Sequence, residues 1–143
     1  MEVTLEKMGE FAGQFVADLP SAIGEKAHMV GLSGDLGAGK TTFVQRVARE
    51  LGVKEQVTSP TFVIAQAYQT THPVFTRLVH MDAYRLEDEV KDTVGFEDFS
   101  KDPHTLMLVE WPEKLPRRVI FPADAPVLKF EVVDEQTRNI SYA

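Results

Sequence analysis

The chain has 143 residues, the size of one domain, and a chain of that length buries roughly two-thirds of its unfolded surface without disulfide or metal staples. It contains no cysteine, which excludes a disulfide framework and thiolate metal sites. Fifteen Lys and Arg against 22 Asp and Glu give a net charge of −7, and no basic run exceeds Arg117-Arg118, so a direct grip on a nucleic-acid backbone is disfavoured.

The amino-terminal residues, MEVTLEKMGE, carry acids where a secretory leader needs bases, and no apolar run approaches a membrane span. A cytoplasmic location is expected. Leu5, Met8, Phe11, Ala12, Phe15, Val16 and Leu19 recur at helical spacing and predict a helix over 4–19, stopped at Pro20. The run HMVGLS (28–33) is short and apolar and predicts a buried strand. Behind it comes GDLGAGKTT (34–42). Then Phe43, Val44, Val47, Ala48 and Leu51 line one face of a second helix, closed by Gly52.

Two β-rich stretches follow at 58–68 and 76–86, with turn character between them. LEDEVKDTVGFEDF (86–99) predicts a short acidic helix ending near Gly95. TLMLVEW (105–111) predicts a strand buried on both faces and ending in an acid. The prolines of 112–126 exclude long regular elements there, and VLKFEVVD with RNISY predicts a closing β-hairpin. Residues 1–143 therefore read as a single α/β domain with a mostly parallel central sheet flanked by helices.

The segment Gly34-xxxx-Gly39-Lys40-Thr41 fits the phosphate-loop template, with the required strand before it and helix after it. Glycines let successive backbone N–H groups turn toward phosphate oxygens, and the helix start adds the positive end of its dipole. Lys40 suits the β/γ-phosphates, and the Thr41 hydroxyl suits one Mg²⁺ position. Such a site also needs an acid at a neighbouring strand end. Glu110 and Asp82 both qualify, Glu110 as the metal-linked acid and Asp82 in a role left open. The loop Thr58-Ser59-Pro60-Thr61 reads equally as a γ-phosphate sensor or a capped turn. His80 stands beside Asp82 as a candidate partner, or as a structural core histidine. Trp111, the one tryptophan, suits a core or lid role. Arg85, Arg117, Arg118 and Arg138 are each candidate phosphate or base contacts, although single arginines are more often surface residues.

The only asparagine is Asn139, so the Asn-Lys-x-Asp signature of guanine recognition is absent, and Asp92-Thr93-Val94-Gly95 follows a charged segment rather than an apolar strand. ATP is favoured by elimination. A small-molecule kinase would need an acceptor pocket and an arginine-bearing lid, for which few residues remain. A non-catalytic nucleotide-binding adaptor fits the small size.

GDLGAGKTTF (34–43), TSPTF (58–62), HMDAYRL (80–86) and VEWPEK (109–114) occur in that order, and together they closely resemble the TsaE (YjeE) family over essentially the whole chain. The resemblance implies a phosphate-loop ATPase that binds Mg-ATP and hydrolyses it weakly alone. It implies action with TsaD and TsaB in making threonylcarbamoyladenosine in tRNA, with tRNA left to those partners. It implies catalytic roles for Lys40, Asp82 and Glu110, and metal contacts for Thr41 and Glu110. Nucleotide contacts are implied for Asp35, Gly37, Ala38, Gly39, Lys40, Thr41, Thr42, Thr61 and Arg138, and loosely for Glu6, because the segment before the glycine loop is longer here than in some relatives.

Overall fold

The computed structural model describes residues 1–57, 65–83, 94–115 and 121–142, with side chains in the helix 94–100 described from 97 onward. Among them seven strands form one mixed sheet in the order β1-β7-β6-β2-β5-β4-β3. The strands are β1 (Glu2–Thr4), β2 (His28–Ser33), β3 (Ala65–Gln69), β4 (Arg77–Asp82), β5 (Thr105–Glu110), β6 (Val127–Val132) and β7 (Thr137–Tyr142). The helices are α1 (Met8–Ala17), α2 (Lys40–Glu50) and α3 (Val94–Ser100).

The centre is parallel: β6, β2, β5 and β4 run side by side in one direction. The flanks are antiparallel, with β3 on β4, β7 on β6 and β1 on β7. The sheet is thus mixed rather than mostly parallel, because the short connections of β3–β4 and β6–β7 fold each strand back on its neighbour and β1 adds antiparallel to the outer edge of β7. β5 is buried at every position between β2 and β4, as its continuous apolar run requires. Period-two alternation sends Val30, Leu32, Leu78, Leu106 and Leu108 to the face covered by α1 and α2, where they meet Met8, Phe43, Val44 and Val47. The other face carries Met29, Val79, Met81, Met107 and Val109, packed under Phe99 of α3 and under Leu115 and Phe121.

Two boundaries differ from the sequence reading. The first helix begins at Met8, not near Thr4, because Glu2–Thr4 pair with β7 and continue the sheet. Glu6 therefore lies in an exposed turn between β1 and α1, not in the helix. In the acidic segment, Gly95 is not the terminus: the helix runs from Val94 through Ser100. Expectations for 58–64, 84–93 and 116–120, including Thr61, Arg85, Arg117 and Arg118, lie outside the described residues.

Candidate functional site

The glycine loop leaves the carboxyl end of β2, a central strand, and runs straight into α2. In open α/β sheets that end is where ligands bind. The backbone path needs glycine at two points in particular. Gly34 has φ +138°, and a Cβ there would run into the Phe130 carbonyl oxygen of β6. Gly39, with φ +101°, is the residue before the first turn of α2, and it offers no side chain to cap that turn. The first turn of α2 also lacks acidic residues, so the N–H groups and dipole of the helix start face forward uncompensated.

Lys40 is 4% exposed although charged. Its ammonium donates to the Gly34 carbonyl and, at 3.2 Å, to the Asp35 carbonyl. It also lies 4.0 Å from the centre of the Trp111 ring. Burial pushes its pKa below the usual lysine value, opposed by the charges of Glu110, Asp82, Glu113 and Asp35 in that order. Desolvation outweighs the four acids, so the ammonium holds its proton less firmly than a surface lysine does.

Glu110, the last residue of β5, is 3% exposed. Thr41 donates its hydroxyl to the Glu110 carboxylate, 3.1 Å to Oε2 and 3.4 Å to Oε1. Asp82 ends β4 directly opposite Glu110 in the parallel register, and the Ala83 N–H donates to the Glu110 carbonyl at 3.0 Å. His80 pairs with Glu110 and not with its sequence neighbour Asp82: its Nε2 lies 2.5 Å from Glu110 Oε2. Trp111 has φ 58°, the one described non-glycine residue in the left-handed region, which an aromatic residue rarely adopts. Its N–H donates to the Leu32 carbonyl of β2 at 2.9 Å, so the turn after Glu110 is tied to the strand that feeds the loop.

Of the anticipated residues, Lys40, Thr41, Asp82, Glu110 and Asp35 come together here. Gly37 and Arg138 meet each other: Arg138 donates to the Gly37 carbonyl at 3.2 Å and to the carbonyls of Asp134 and Thr137 at 2.8 and 3.1 Å. At 8% exposure, its guanidinium braces the loop from below. Ala38 is buried, and Thr42 is half-buried in the first turn of α2. Glu6 sits two residues before Met8, whose side chain abuts Gly39. The His80–Glu110 contact and the Trp111 face over Lys40 went unread in the sequence. The adjacency of Trp111 to Glu110 was the available clue for the second.

The residues fit a magnesium nucleotide. Mg²⁺ is usually held by one or two carboxylates together with phosphate oxygens rather than by an all-protein cage. Among the described residues no three His, Asp or Glu side chains converge as a metal cage, while a hydroxyl and two acids stand beside a forward-facing helix start.

These features define an α/β protein whose glycine loop, helix start and strand-end acids share one edge of a mixed seven-stranded sheet. The crystal structure of YdiB from Bacillus subtilis has the same fold, with a TM-score of 0.69 over 99% of this chain and 83% of that one, at 24% identity. The profile described as "Threonylcarbamoyl adenosine biosynthesis protein TsaE" matches residues 4–140, and the chain belongs to that family. Similar proteins named "tRNA threonylcarbamoyladenosine biosynthesis protein TsaE" include that of Bacillus subtilis strain 168, 41% identical over 67% of this chain and 58% of its own length. That of Mycobacterium tuberculosis H37Rv is 38% identical over 71% and 65%, and that of Aquifex aeolicus VF5 is 34% identical over 80% and 75%. The matched stretch thus spans less than two-thirds of the first two relatives. Among the described residues no helix is long and apolar enough to cross a membrane.

Proposed function

We propose that this chain is the Mg-ATP-hydrolysing component of the machinery that makes threonylcarbamoyladenosine in tRNA, working in the cytoplasm with TsaD- and TsaB-type proteins. The observation that carries the reading is the convergence of Lys40, Thr41 and Glu110 where the glycine loop meets α2. The names of the relatives supply the pathway.

In this reading the backbone from Asp35 through Thr42 cradles the phosphates, with Gly37, Ala38 and Gly39 forming the curve. Lys40 offers its charge to the β/γ oxygens. A bound Mg²⁺ would supply charge neutralisation at those oxygens, held by Thr41 and Glu110. Asp82, beside Glu110, is suited to orient a water molecule and take its hydrogen bond. Arg138 keeps the loop in shape through Gly37, while Thr61 and Glu6 are further nucleotide contacts. With net charge −7 the chain leaves tRNA to its partners. Turnover is slow alone and rises when a partner completes the γ-phosphate side, as groups supplied in trans do elsewhere.

The test is phosphate release from Mg-ATP by the protein alone and with TsaB and TsaD, using Glu110→Ala as the blank. Stimulation by the partners that vanishes in the variant supports the reading. Absence of hydrolysis in both conditions, with nucleotide still quenching Trp111 fluorescence, replaces it with a non-catalytic adaptor.

A further inference from the structure

His80 is fully buried in the middle of β4, at 0% exposure, on the face that also carries Leu78 and packs beside Leu106 and Leu108. An apolar side chain would fill that volume without a polar penalty. The imidazole instead brings two nitrogens into the core. Nδ1 has no hydrogen-bond partner among the described residues, an unfavourable state for a buried polar atom. The other nitrogen makes the contact that offsets this. Nε2 meets Glu110 Oε2 at 2.5 Å, and a carboxylate oxygen only accepts, so the ring hydrogen is assigned to Nε2 by its partner.

Thr41 donates to the same oxygen at 3.1 Å. Oε2 is therefore held from the core side by β4 and from the loop side by α2. Oε1 keeps only the longer, 3.4 Å Thr41 contact among the described residues. A glutamate at a strand end has three rotatable bonds, and two donors on one oxygen fix the plane of its carboxylate and which oxygen faces outward.

We propose that His80 is a positioning residue that locks the Glu110 carboxylate through Oε2, so that Oε1 is presented to the divalent cation. The inference rests on the proposed function, because it assumes that Glu110 is a cation ligand. Groups of this kind, acting through a ligand rather than on the metal, typically change metal affinity by about 10–100-fold.

The test measures Mn²⁺ affinity by electron paramagnetic resonance in the presence of ADP, and ADP affinity separately in EDTA. His80→Leu removes the donor and keeps the core apolar. His80→Gln retains an N–H donor that can reach the same oxygen. The expected result is Mn²⁺ binding weakened about 10–100-fold in His80→Leu, largely restored in His80→Gln, with ADP affinity in EDTA unchanged in both. If His80→Leu binds Mn²⁺ as tightly as the wild type while Glu110→Gln has lost it, the imidazole only fills space and the inference is overturned. Equal losses in Leu and Gln overturn it as well. If Glu110→Gln keeps its Mn²⁺ affinity, the reading of the site itself fails and takes the inference with it. A readout free of His80 variants is the imidazole Nε2–H resonance of the wild-type protein. It should lie far downfield and move when Glu110 becomes Gln, and a resonance indifferent to that change contradicts the proposal.

Discussion

Strands β4 and β5 run parallel, and each end of the pair carries a polar cluster, yet the two clusters are built to opposite rules. At the amino end, Arg77 donates to Asp102 at 2.6 Å and to Thr105 at 3.1 Å, and Thr105 donates to Asp102 at 3.0 Å. The N–H of His104 completes the other Asp102 oxygen at 2.9 Å. Each charge has its complement, about a third of each ion-pairing side chain is exposed, and Arg77 lies over the Phe99 ring at 4.7 Å. At the carboxyl end, Lys40, Glu110 and His80 are almost wholly buried, several acids face one ammonium, one imidazole nitrogen is unsatisfied, and Trp111 holds a left-handed backbone. Burial, residual charge and backbone strain together mark a site that binds something, whereas a closed and solvated network marks a staple.

That contrast breaks or sharpens in four measurements. Glu110→Ala should cut partner-stimulated phosphate release by roughly 100–1000-fold in protein that is still folded, and lower stability by about 1–3 kcal/mol because the buried His80 donor is orphaned; a loss of activity that only tracks the loss of folded protein would make Glu110 a structural acid. Gly34→Ala should lower stability by about 3 kcal/mol in denaturant unfolding, since strain at positive φ adds to the clash with the Phe130 carbonyl. Arg77→Ala should lower stability by about 1 kcal/mol with nucleotide affinity intact, and a shift in nucleotide affinity would show the two ends to be coupled.

The smallest effect is a pH dependence at the amino end of β2. Burial holds the pKa of His28 below its ordinary 6.5. The unfolded chain therefore takes up that proton first, and stability falls as pH drops below 6.5 until the lowered folded value is passed. Asp102 is held below its ordinary 3.8, chiefly by the His104 N–H, so its contribution is full above 3.8 and is lost only as pH falls through the lower folded value. In chemical unfolding across pH, His28→Gln should remove the higher step and leave the lower one in place.

The carboxyl end is largely legible in the sequence. HMVGLS gives β2 residue for residue, and an acid after an apolar run places Glu110 at a strand end. What stayed hidden depends on strand order, which a single chain does not display. His80 and Asp82 are neighbours in sequence and point to one face, but the nearer partner comes from the adjacent strand, so His80 meets Glu110. β1 was hidden because three residues are too few to show a period of two beside a longer helical pattern. Gly95 misled because glycine ends helices more often than it sits inside them.

Arg138 reaches the Gly37 carbonyl across 101 positions of the chain, and Gly34 is pressed against β6 in the same way. A ribosome delivers the glycine loop well before these braces. Strand β2 can pair with β5 before then, but the loop acquires its shape only once β6 and β7 have emerged. The shape of the loop is thereby a property of a chain that already includes β6 and β7, denied to one terminated before them.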